Sequence, residues 1–214
     1  MHHRLTLVTP PTGLVVQPEE VRAHLGLPDS VDDDVLNDEI IAATEFFDGK
    51  DGLLGRALLP QTWDYVTPRY VWPYVELPLP PLISVTSISY VDEAYAVQTM
   101  DPSLYSVKGV GTRGAVQLNT RLPVERYPYN DDVTIRFTAG YPDSSGRTTV
   151  PGPIKTAIIM KLSHMRSMKR ADPLLKQDSV IGVSSVTYDT GEASTKTFDS
   201  AIESLVARYR ELYV

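Results

Sequence analysis

Apolar residues recur at the 3.6-residue period of a helix near both ends of this 214-residue chain, and at the two-residue period of strands through its middle. Pro18, Glu19 and Glu20 open a short helix over 21–25 that Gly26 and Pro28 close. A second helix follows the acidic run of Asp29, Asp32, Asp33 and Asp34, whose carboxylates suit the positive end of a helix. Its apolar positions Leu36, Ile40, Ala43 and Phe47 share one face, and the pattern breaks in the region 49–55. From Leu59 the period shifts to two, with β-branched and aromatic residues between prolines, and predicts strands at 63–67, 75–77, 85–91, 96–100, 104–107, 115–118 and 133–138. Asp92 with Glu93, and Asp101 with Pro102, supply turns. Strands this short and closely spaced pair antiparallel, because parallel crossovers need helices between them.

Beyond Tyr141 and Pro142 the helical period returns. Pro151, Gly152 and Pro153 open a helix carrying Ile154, Ile158, Leu162 and Met165, and its far end is basic at Arg166, Lys169 and Arg170. The stretch 176–196 is polar and rich in serine, with one strand-like patch at 183–188. A last helix is predicted with Ser200 and Glu203 as a capping box and Ile202, Leu205, Val206, Tyr209 and Leu212 as its stripe. None of these helices buries its stripe alone, so the two ends of the chain should pack together. The expected class is α+β: a discontinuous α-helical bundle domain over 1–58 and 143–214, with an antiparallel β-rich insertion over 59–142.

Composition narrows the function more than the fold. Acidic residues number 27 against 20 basic ones, for a net charge of −7, which argues against a surface that grips phosphates throughout. With no cysteine, the chain has no disulfide, thiolate metal site or Cys nucleophile, and suits a reducing compartment. The opening residues hold threonines and prolines where a secretion signal needs an apolar run, and no stretch approaches the length of a membrane span. The expectation is a protein soluble and cytosolic when made, with no membrane partner.

The candidate chemistry is thin. Gly109, Gly111 and Gly114 match a dinucleotide fingerprint in spacing, yet they lead into the strand at 115–118 where that motif needs a helix, so a hairpin loop is expected. The carboxylates Asp29, Asp32, Asp33, Asp34, Asp38 and Glu39 lack the spacing of a calcium loop. His2, His3, His24 and His164 include no pair at zinc-protease spacing, and no Gly-x-Ser-x-Gly elbow occurs among the serines. No catalytic residue, metal site or cofactor is expected.

Two stretches stand out as binding surfaces. Lys155, Lys161, Arg166, Lys169 and Arg170 form the one basic concentration, readable as a DNA-facing stripe or as cations answering the helix dipole. At the C-terminus, Tyr209, Arg210, Leu212 and Tyr213 are residue types favoured in protein interfaces, though a helix packed on its own core accounts for them equally.

The order of several fragments resembles the head-tail connector (adaptor) proteins of tailed bacteriophages, also found in gene transfer agents. The fragments are Leu7 to Pro11 as LVTPP, Pro18 to Val21 as PEEV, the run GRALLPQTW from Gly55, LPLPPLISVTSI from Leu77, DPSLY from Asp101, RFTAGY from Arg136 and PGPIK from Pro151. They span nearly the whole chain. The resemblance implies a non-enzymatic structural protein of the virion neck, assembled from the host cytoplasm. It implies a ring of about twelve copies beneath the portal protein, extending the channel for packaged double-stranded DNA. The ring would offer a platform to a downstream stopper or tail-completion protein. It further implies that the C-terminal helix and tail meet the portal, here through Leu205, Arg208, Tyr209, Arg210, Leu212, Tyr213 and Val214, with any longer portal-clasping tail absent or short. The alternative is a DNA-packaging accessory protein touching DNA through the basic helix 155–170.

Overall fold

The computed structural model describes residues 4–68, 74–92, 94, 96–119, 132–144, 147–170, 177–180, 184–187 and 192–211. Its elements run β1 (Arg4–Thr9), α1 (Pro18–Leu25), α2 (Asp33–Glu45), β2 (Gln61–Pro68), β3 (Tyr74–Glu76), β4 (Leu82–Val91), β5 (Val97–Thr99) and β6 (Tyr105–Lys108). They continue as β7 (Ala115–Leu118), β8 (Asp132–Ala139), the two-residue strands β9 (Asp143–Ser144) and β10 (Arg147–Thr148), α3 (Gly152–Arg170), β11 (Gln177–Val180), β12 (Ser184–Thr187) and α4 (Glu192–Val206). The class is α+β, with every strand pair antiparallel.

The chain divides into a β-rich unit of residues 1–13, 47–150 and 211–214, and a helical unit of residues 14–46 and 151–210. The edges differ from the expected 1–58 and 143–214 against 59–142. One reason is β1, which the sequence reading did not count as a strand: it pairs antiparallel with β2, Leu5 opposite Tyr65 and Leu7 opposite Trp63. A six-residue strand at a sheet edge needs no strong local signal, because its hydrogen bonds come from a neighbour more than fifty positions away.

Two sheets build the core of the β-rich unit, beside the short β9–β10 pair. The larger has strand order β1-β2-β8-β4-β5 and the smaller β3-β7-β6. Alternation does the rest: Trp63, Ile88, Val133, Ile135 and Phe137 from the first sheet share one core with Val75, Leu77 and Val116, so side chains of both sheets meet. On the opposite face of β2 and β8, Arg136 donates to both Asp64 carboxylate oxygens at 2.7 and 2.8 Å. The glycines at 109, 111 and 114 close the β6–β7 hairpin, in which Lys108 pairs with Ala115. Gly109 and Gly111 sit at φ +69° and +82°, in the left-handed region.

The segment entering β2 is held by one carboxylate. Asp48 accepts from the Leu58 N–H at 2.6 Å and from the Gln61 side-chain amide at 3.0 and 3.1 Å, so buried Gln61 has its polar end satisfied.

In the helical unit, Pro18 lies at the first turn of α1 and Gly26 ends it at φ +60°, its N–H bonded to the Arg22 carbonyl. The Asp32 side chain caps α2 by accepting from the Asp34 N–H at 2.9 Å. Leu36, Ile40 and Ala43 of α2 are fully buried, as are Ile154, Ala157 and Leu162 of α3, with Ile202 and Val206 of α4 1% exposed. Helix α3 packs against α2 and α4, and α1 touches α2 and α3. One expectation is corrected here: α4 starts at Glu192, so Ser200 and Glu203 lie inside it and form no capping box. The polar run before Ser200 hides the helix start because tertiary packing of Ile202 and Val206, rather than propensity, sustains α4.

Candidate functional site

The basic residues of α3 are spent on the bundle. Lys155 faces Glu20 of α1 at 4.0 Å, and Arg166 donates to Glu39 of α2 at 2.9 Å. Lys161 lies 3.7 Å from Asp199 of α4 and 4.0 Å from the centre of the Phe46 ring. These three side chains are only 16–23% exposed. A phosphate approaching the stripe would have to displace a carboxylate from each. The side chains of Lys169 and Arg170 lie outside the described residues.

At the other candidate surface, α4 gives way after Val206 to a 3-10 turn at Ala207–Tyr209, closed by the Arg210 N–H on the Ala207 carbonyl at 3.2 Å. Leu205 is half-buried, while Arg208 and Arg210 are exposed. The Arg208 guanidinium lies 4.6 Å from the centre of the Tyr209 ring and donates to its hydroxyl. Leu212, Tyr213 and Val214 lie outside the described residues.

The residue the sequence reading missed is Glu211. Its N–H donates to the Leu54 carbonyl at 2.8 Å. Its two carboxylate oxygens accept from Arg56 at 2.6 Å and from Arg113 at 2.7 Å. Arg113 also reaches Glu76 at 3.4 Å, and Arg56 reaches the Tyr141 hydroxyl at 3.5 Å. Glu211 is thus locked into the β-rich unit. Glu211 and Arg56 are 155 positions apart in sequence, and no local pattern marks such a pair.

Neither histidine that the structure describes is placed for catalysis. His164 stacks on Phe198 with ring centres 4.4 Å apart, and His24 bonds through Nδ1 to the Glu20 carbonyl at 2.9 Å. Among the described residues no group of three or more His, Asp or Glu side chains converges as a metal site would require. No described helix is long and apolar enough to cross a membrane.

No family model matches the chain, and no curated protein matches it. Solved structures do. A chain from the neck of an empty gene transfer agent (GTA) particle computed with C6 symmetry superposes with a TM-score of 0.65 at 20% identity, covering 99% of this chain and 97% of that one. A chain from the neck of a native GTA particle computed with C12 symmetry gives 0.63 at 19% identity, with the same coverages. One from the virion of a native gene transfer agent particle gives 0.65 at 20% identity, covering 98% and 96%. Over nearly its whole length, therefore, the chain shares its fold with subunits of gene transfer agent particles, in agreement with the resemblance carried by its sequence fragments.

Proposed function

We propose that this protein is a structural head-tail connector: copies of it form a ring, of about twelve, beneath the portal protein of a tailed particle. The ring extends the DNA channel and joins the head to the next neck or tail protein. The observation that carries this reading is the superposition on neck chains, which covers 99% of this chain and 97% of theirs. Net charge supports it, since a chain carrying −7 overall does not favour tight holding of duplex DNA. The C-terminal end from Leu205 onward, including Leu212, Tyr213 and Val214, faces the portal in this reading.

The test is direct. Particles made with a tagged copy of the chain are imaged, and the portal is cross-linked to its neighbours. Label at the neck and a portal cross-link are expected. Complete necks in particles that lack the chain would overturn the proposal.

A further inference from the structure

The charges of the helical unit are sorted by the pairing described above. Helix α3 meets α2 through Arg166 and α4 through His164. Helices α2 and α4 both pack on α3, and Lys161 reaches Asp199 of α4 and the Phe46 ring at the end of α2. Ion pairing along α3 consumes Lys155, Lys161 and Arg166. Two cations, Arg208 and Arg210, stay exposed at the end of α4 and make no ion pair among the described residues.

The outward face of α2 has the opposite character. Val35, Asp38, Ile41 and Glu45 fall within about a third of the helix circumference, directly opposite buried Leu36, Ile40 and Ala43. Val35 is 52% and Ile41 44% exposed, large values for aliphatic side chains on a helix, and Asp38 and Glu45 are exposed beside them. An apolar strip edged by carboxylates that make no ion pair among the described residues marks an interface more than a solvated face.

We infer that the outward face of α2 docks on a second copy of this chain, with Asp38 and Glu45 meeting Arg208 and Arg210 of the neighbour around the apolar contact of Val35 and Ile41. The two surfaces are different parts of one unit and opposite in charge, as the two sides of a head-to-tail interface in a ring must be different patches. Charge complementarity selects the occupant and sets the register. The inference rests on the ring reading, and it takes Arg208 and Arg210 out of the portal-facing set and gives them to the lateral contact.

The natural chain has no cysteine, so an engineered pair reports without background. Particles carrying the double variant Asp38→Cys, Arg208→Cys are oxidised and run on non-reducing gels. A ladder of multimers is expected, and each single variant should give none. A neck that contains the doubly substituted chain only as monomer overturns the inference while leaving the function standing. A natural chain absent from the neck overturns the function itself. Charge reversal guards against a misfolded cysteine variant: Asp38→Arg, Glu45→Arg and Arg208→Glu, Arg210→Glu should each cut ring incorporation at least tenfold when alone, and together in one chain restore it. Failure of that restoration in chains that remain folded also overturns the inference.

Discussion

At the scale of single residues, Glu211 carries more than its position near the chain end suggests. One carboxylate is shared by two guanidinium groups of unequal exposure, Arg56 at 16% and Arg113 at 44%. Bonds to a charged group count for more where water is excluded, so the Arg56 side of the bridge dominates. Glu211→Ala is expected to lower stability by about 1–2 kcal/mol, with Arg113→Ala falling below half of that. Urea unfolding of the variants measures both. Equal losses from the two would show that exposure does not set the ranking. Arg56 and Tyr141 both fall in fragments that carry the family resemblance, yet nothing local in the sequence announces that they converge with Glu211.

At the scale of elements, the junction after β8 depends on a backbone that only glycine adopts easily. Gly140 has φ +132°, and a Cβ there would collide with the Leu59 carbonyl and the Pro60 nitrogen. Its own N–H is used, bonding the Pro81 carbonyl at 2.9 Å, so the strand end has no freedom to shift aside. Gly140→Ala should therefore destabilise the protein by more than ~1 kcal/mol, the reverse of the gain seen where alanine fits the backbone. A thermal melt reads this, and an unchanged or raised Tm would contradict it. Elements with a strong local period are legible in sequence: α2, α3, β7 and β8 lie within a few residues of where periodicity puts them. Strand β1 and the first turns of α4 are not, because a partner strand in one case and packing of Ile202 and Val206 in the other supply what local propensity lacks.

For the whole molecule, the proposed channel role turns on whether the chain grips duplex DNA or lets it pass. Internal pairing of Lys155, Lys161 and Arg166 removes the middle of the α3 stripe from phosphate contact, and the net charge of −7 opposes binding to a polyanion. The chain is expected to show no saturable binding to duplex DNA at about 0.15 M salt, and a log–log salt slope shallower than about −2 at lower salt. Fluorescence anisotropy with a labelled duplex measures it. A steep slope, removed by Lys155→Ala with Arg166→Ala, would favour the packaging-accessory reading.

The sequence by itself determined the class: helical period at both ends and strand period between them make an α+β chain, because burial of apolar faces has only those two regular solutions. It also carried the resemblance to head-tail connectors and the lack of local catalytic motifs. Tertiary structure alone decided how the charges are used. Whether Lys161 faces solvent or an aromatic ring, and whether Glu211 is free or shared by two arginines, depends on residues far apart in sequence that packing brings within 4 Å. Coulomb attraction and hydrogen bonding act over such distances in space and carry no trace along the chain. Three cations of the basic stripe legible on α3, Lys155, Lys161 and Arg166, thus became internal ties.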